Sequence, residues 1–87
     1  AGSTSTKIRL SWTTDCKQRS WKVKLYNKYL GLWWHLETNK RTNVYNYSAS
    51  TSFNVYYGSN EKYKMKLLVR WNGNSSYHKE AVVFVDV

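Results

Sequence analysis

The sequence predicts an all-β fold: a small antiparallel sandwich of two sheets and about seven strands. Three observations lead there. Apolar residues recur at every second position over most of the chain, polar turn residues separate these stretches, and no run of ten residues carries the three-and-four spacing of an amphipathic helix. A chain of 87 residues with 41% hydrophobic and 17% aromatic content builds one core and has no room for a second.

In chain order, the strands are expected over residues 6–13, 19–27, 29–37, 43–48, 51–57, 61–71 and 77–87. Ile8, Leu10 and Trp12 alternate with Lys7, Arg9 and Ser11, so one face enters the core and the other meets water. Thr14-Asp15-Cys16-Lys17-Gln18 reads as the connection to a second strand, where Trp21, Val23 and Leu25 alternate with Lys22, Lys24 and Tyr26. Asn27-Lys28 is either a tight turn or a bulge in a continuous strand. A polar loop is expected at Thr38-Asn39-Lys40-Arg41-Thr42 and another at Gly58-Ser59-Asn60. Tyr63, Met65, Leu67, Val69 and Trp71 alternate with Lys62, Lys64, Lys66, Leu68 and Arg70. Asn72-Gly73-Asn74 is the strongest hairpin signal, because Asn-Gly favours the positive φ that a two-residue turn needs. The apolar run over residues 81–85 closes the chain as a last strand. There is no proline, so protection of the sheet edges falls to the lysines.

Some of these residues resemble a fibronectin type III domain. Lys7-Ile8-Arg9-Leu10-Ser11-Trp12 is similar to that family's second strand with its buried tryptophan, and Trp21-Lys22-Val23 to the next strand. The stretch from Tyr57 through Tyr63 to Leu67 resembles the corner before the sixth strand. The resemblance implies an immunoglobulin-like arrangement of the sandwich over residues 7–87. It implies no activity, because this architecture carries many. The chain departs from the family in lacking proline and in leaving little for a first strand before Lys7. Residues 1–6 are therefore expected to be a flexible N-terminal segment.

Composition excludes several classes of function. One cysteine rules out an intramolecular disulfide framework and a multi-cysteine zinc site. No apolar run is long enough for a membrane-spanning helix. The wealth of aromatic and β-branched residues argues against disorder. No basic, apolar-cored leader opens the chain; small size, high pI and sparse cysteine point to a secreted protein. Catalysis is not expected. His35 and His78 are each followed two residues later by a carboxylate, Glu37 and Glu80, on the expected same strand face, which suits solvated positions better than an acid–base pair. Cys16 lies near Lys17 and Arg19, but no histidine is close in sequence to activate it. No cofactor or metal site is expected.

Charge is the informative feature. Fourteen Lys and Arg face five Asp and Glu, a net charge of +9, which exceeds the magnitude of about 2–8 that solubility asks of a small domain. Lys7, Arg9, Lys22 and Lys24 fall on outward sides of the first two strands, and Lys62, Lys64, Lys66 and Arg70 form a second stripe. In a fibronectin-like topology the second stripe lies on the opposite sheet, so the charge wraps the molecule. These eight residues are the candidate polyanion-binding set. The aromatic candidates are Trp33, Trp34, Tyr45, Tyr47 and Tyr56. Trp33 and Trp34 are adjacent and point to opposite faces of a strand, so both cannot enter one core. These rings either form an exposed contact surface or fill thin core layers.

Together these features point to a secreted, non-enzymatic cationic protein that binds polyanionic surfaces, with antimicrobial or toxin-like action as one outcome. The expected partners are an anionic glycan, teichoic acid or a membrane surface. A carbohydrate-binding or adhesion module using exposed Trp and Tyr is the alternative, and single-stranded nucleic acid comes behind both.

Overall fold

A computed structural model describes residues 4–57, 62–73 and 75–86. The chain is all β, with five strands in one antiparallel sheet: β1 (Thr4–Tyr29), β2 (Leu32–Arg41), β3 (Asn46–Tyr57), β4 (Lys62–Trp71) and β5 (His78–Asp86). The C-terminal part of β1 lies between β2 and β4, and β4 in turn pairs with β5, giving the order β2-β1-β4-β5. The N-terminal part of β1 pairs with β3, from Thr4 opposite Tyr57 to Thr13 opposite Ser48.

Where seven strands in two sheets are expected, five in one are found, and the difference lies in two connections. The expected turn at residues 14–18 is an irregularity inside β1. Between Thr13 and Gln18 the β1 register advances by five while its β3 partners move only from Ser48 to Asn46. The surplus residues make a large bulge, and bulges bend strands. A straight strand of 26 residues would run about 85 Å, far beyond the 48 Å longest dimension of the molecule. β1 therefore folds over, and its first half with β3 packs against the face of the second half. The other expected break, between 48 and 51, does not exist: Ala49 and Ser50 pair with Trp12 and Ser11, and β3 is continuous. Residues 4–6, expected to be flexible, pair with residues 55–57 inside β1.

The turns move as well. Asn27 and Lys28 stay in β1, and the reversal falls on Leu30 (φ 54°) and Gly31 (φ 77°). Residues 38–41 lie in β2; Asn43 and Tyr45, both at positive φ, carry the connection to β3. Gly73 has φ 95°, in keeping with the Asn-Gly signal, whereas the expected loop at 58–60 lies outside the described residues.

The core sits between the folded halves. Trp21, Val23 and Leu25 of β1, Tyr63, Met65, Leu67 and Val69 of β4, and Phe53 and Val55 of β3 form one buried cluster. Ile8, Leu10, Trp12 and Trp71 cover it as half-buried neighbours. Thus the period-two reading places the inward faces of β1 and β4 correctly. Trp12 and Trp21 meet edge to face across the bend, with ring centroids 5.0 Å apart. The Trp12 indole Nε1 donates to Oε1 of buried Gln18 at 2.8 Å, so its polar edge enters the core satisfied. At the far end of the limb the Tyr63 hydroxyl donates to the Tyr56 carbonyl at 2.8 Å and pins β3 over β4.

A cationic and aromatic face on the four-stranded part

Register decides which charges share a surface. The odd-numbered residues 21, 23 and 25 of β1 point into the core, so Lys22, Lys24 and Tyr26 point outward. On β4 the same logic turns Lys62, Lys64, Lys66 and Arg70 outward. β1 and β4 are neighbours: Lys24 stands opposite Lys66, Tyr26 opposite Lys64 and Lys22 opposite Leu68. Lys40 of β2 flanks Lys22 on the other side. Lys22 and Lys24 of the first stripe, expected on the sheet opposite the second, therefore lie beside Lys64, Lys66 and Arg70 on one face. Lys7 and Arg9 are apart from them, exposed on the outer side of the β1–β3 limb, where Arg9 donates to the Ser50 hydroxyl at 3.1 Å.

Aromatic rings are set among these cations. Lys64 Nζ lies 4.8 Å from the ring centroid of Tyr26 and 4.7 Å from that of Trp33. Lys66 also approaches Tyr26, and Lys28 approaches Trp33. Trp33 reaches Phe84 of β5, with centroids 5.8 Å apart. Further along the face, Lys22 Nζ sits 4.4 Å from the Tyr77 centroid, with the Arg70 guanidinium 5.5 Å from the same ring. Arg70 also donates to the buried Ser20 hydroxyl at 3.0 Å. A cation over a ring is attracted to its negative face without losing its charge, and at exposed sites each such contact is worth about 0.5–1 kcal/mol. The rings therefore hold the ammonium groups in place and leave them positive. Among the described residues, none of these Lys or Arg side chains forms a salt bridge.

Among the described residues the acidic side chains are elsewhere or marginal. Asp15 and Glu80 line an open groove of about 450 Å³ with Trp12, Cys16, Leu67 and Trp71, on the core side of the sheet. Asp86 lies opposite Lys62 at the end of β5. Two bulges separate the expected His–Glu pairs. A register shift between Leu25 and Tyr26 sets His35 opposite outward-facing Tyr26 but Glu37 opposite inward-facing Leu25. In β5 the shift between Leu67 and Leu68 leaves Glu80 as the surplus residue after His78. His35 Nε2 instead meets the Thr38 hydroxyl at 2.8 Å, and His78 lies against the Trp71 ring. Cys16, expected in a loop, is an exposed free thiol in the β1 bend.

The five aromatic candidates do not gather. Trp33 is half-buried on the cationic face, while Trp34 is exposed on the opposite side, its indole Nε1 donating to the Tyr29 carbonyl at 3.1 Å. Tyr45 and Tyr47 lie at the bend end, where Lys17 approaches Tyr47, and Tyr56 is exposed on the β1–β3 limb. Phe84 and Tyr77 were not among the candidates. Phe84 lies in the apolar run expected as the last strand and is 66% exposed on the outer side of β5, where the Trp33 ring meets it. No family model matches the chain, and no curated protein or solved structure matches it either.

Proposed function

We propose that this is a secreted, non-enzymatic cationic protein that binds polyanionic surfaces through the outer face of its β2-β1-β4-β5 sheet. One observation carries the reading: Lys22, Lys24, Lys64, Lys66 and Arg70 converge on a single face, interleaved with Tyr26, Trp33, Tyr77 and Phe84, with no acidic partner among the described residues. Like charges on neighbouring strands repel, so the arrangement costs stability in the free protein and is relieved by an anionic partner. Cation–π contacts restrain the lysines beforehand, so fewer rotamers are lost on binding.

The mechanism is electrostatic accumulation followed by apolar contact from Trp33, Phe84 and the tyrosines. Anionic glycan, teichoic acid and acidic lipid headgroups all have the required chemistry. A neutral-sugar module has weaker support, because its aromatic candidates are dispersed over several surfaces. Binding to heparin, measured at low and moderate salt, tests the proposal. Affinity should fall steeply with salt, and K22E/K24E should bind at least tenfold more weakly. Affinity that is indifferent to salt and to both substitutions would overturn it.

A further inference from the structure

We propose that the tip of the β1–β2 hairpin, residues 29–36, is an anchor that inserts into the interface of an anionic lipid bilayer. This rests on the polyanion reading and names the surface: a membrane, entered by a defined segment. The tip holds Tyr29, Leu30, Leu32, Trp34 and Leu36, all exposed, with Leu30 at 80%. Tyr29, Leu30 and Leu32 lie past the described β1–β4 pairs, Trp34 stands level with Asn27, and Leu36 lies deeper, at the Leu25/Tyr26 bulge. Among the described residues Asn27 is the last of β1 paired with β4, and Leu30 stands three residues, about 10 Å, further along the strand. That reach matches the 5–10 Å to which interfacial segments sink their apolar side chains.

The turn chemistry points the same way. Leu30 (φ 54°) and Gly31 (φ 77°) occupy the two central positions of a tight hairpin, where Asn-Gly is the favoured pair. A leucine here is strained in its backbone and contributes nothing to the core. Both costs make sense if its side chain is needed in an apolar medium. Trp34 is prepared for the same medium, since its indole N–H is already satisfied by the Tyr29 carbonyl within the hairpin. Leu36 is the surplus residue of the β2 bulge, which turns it out of the alternation.

Charge selects the occupant. Lys28 lies opposite Trp33 at the base of the tip, and Lys62 and Lys64 follow on β4. Lys28 and Lys64 give this level a positive charge where phosphate groups would lie once Leu30 and Leu32 enter, while Lys62 has Asp86 opposite it. A bilayer supplies apolar depth below and negative charge at this level together.

The test uses the full chain with vesicles of phosphatidylcholine, alone or mixed with phosphatidylglycerol, carrying bromine on the acyl chains, and with heparin as a soluble polyanion. Trp21 is buried, and Trp12 and Trp71 lie at the bend end of the strands away from the tip, so quenching by bromine from a bilayer at the tip reports chiefly on Trp33 and Trp34. The anchor predicts strong quenching in anionic vesicles. It also predicts that L30N/L32S loses vesicle affinity at least tenfold while heparin affinity changes less than twofold. L30N installs the favoured turn pair, and unchanged heparin binding certifies the fold. Heparin binding without bromine quenching, or wild-type vesicle affinity in L30N/L32S, overturns the anchor and leaves the polyanion reading. A self-associated wild type that L30N/L32S makes monomeric, without vesicle quenching, also overturns the anchor. Failure to bind both heparin and anionic vesicles overturns both.

Discussion

Replacing Lys24 with Glu should make the protein more stable and a poorer polyanion binder at once. Lys24 on β1 stands opposite Lys66 on β4, and both are half-buried. Directly opposed residues hold their Cβ atoms about 5 Å apart, and like charges there are destabilising. Two ammonium groups about 7 Å apart repel by about 0.6 kcal/mol in water and about 2.4 kcal/mol at an effective dielectric of 20. Half-exposed side chains lie nearer the first figure, and charge reversal replaces the repulsion with an attraction of similar size. After discounting for screening and side-chain ordering, a net gain of about 1 kcal/mol is expected. In a domain of this size that raises Tm by about 5 °C. Thermal unfolding followed by near-ultraviolet circular dichroism at low salt measures it. The gain should vanish in 1 M salt, where the Debye length is about 3 Å. The log–log salt slope of heparin binding should become shallower by about one unit. An unchanged or lower Tm for K24E at low salt refutes the reasoning, because it means these charges do not oppose one another.

Other outcomes follow from the fold. Val23, fully buried at the centre of the core, should cost about 2 kcal/mol when cut to Ala, lowering Tm by about 10 °C. Gln18→Ala removes a buried side chain and orphans the Trp12 indole N–H, so a loss of about 2 kcal/mol in urea unfolding is expected, larger than for an exposed polar residue. Leu30→Asn should stabilise the free protein by about 1 kcal/mol, because Asn tolerates the left-handed conformation that Leu30 adopts.

The inward faces were legible because alternation is a local property: Trp21, Val23 and Leu25, and Tyr63 to Val69, needed no knowledge of their neighbours. What failed was non-local. The polar stretch Thr14 to Gln18 reads as a loop, but the chain stays extended there because β3 and β4 continue pairing on either side of the bend. Ala49-Ser50 reads as a break, yet Trp12 and Ser11 opposite hold it in the ladder. Leu30 disguises a turn as part of a strand. The outward side of each basic stripe is readable, but not that β1 and β4 are neighbours, which brings Lys22 and Lys24 onto one face with the second stripe and leaves Lys7 and Arg9 on the other limb. Bulges at Leu25/Tyr26 and Leu67/Leu68 shift the alternation by one residue on their partners, which is why His35 and Glu37 part company.

The most direct measurement of single-sided recognition is a backbone and side-chain NMR titration with a short heparin fragment. Shifts concentrated on Lys22, Lys24, Tyr26, Trp33, Lys64, Lys66 and Arg70, with the β1–β3 limb silent, are the predicted result. Equal shifts at Lys7 and Arg9, spread evenly around the molecule, would contradict it.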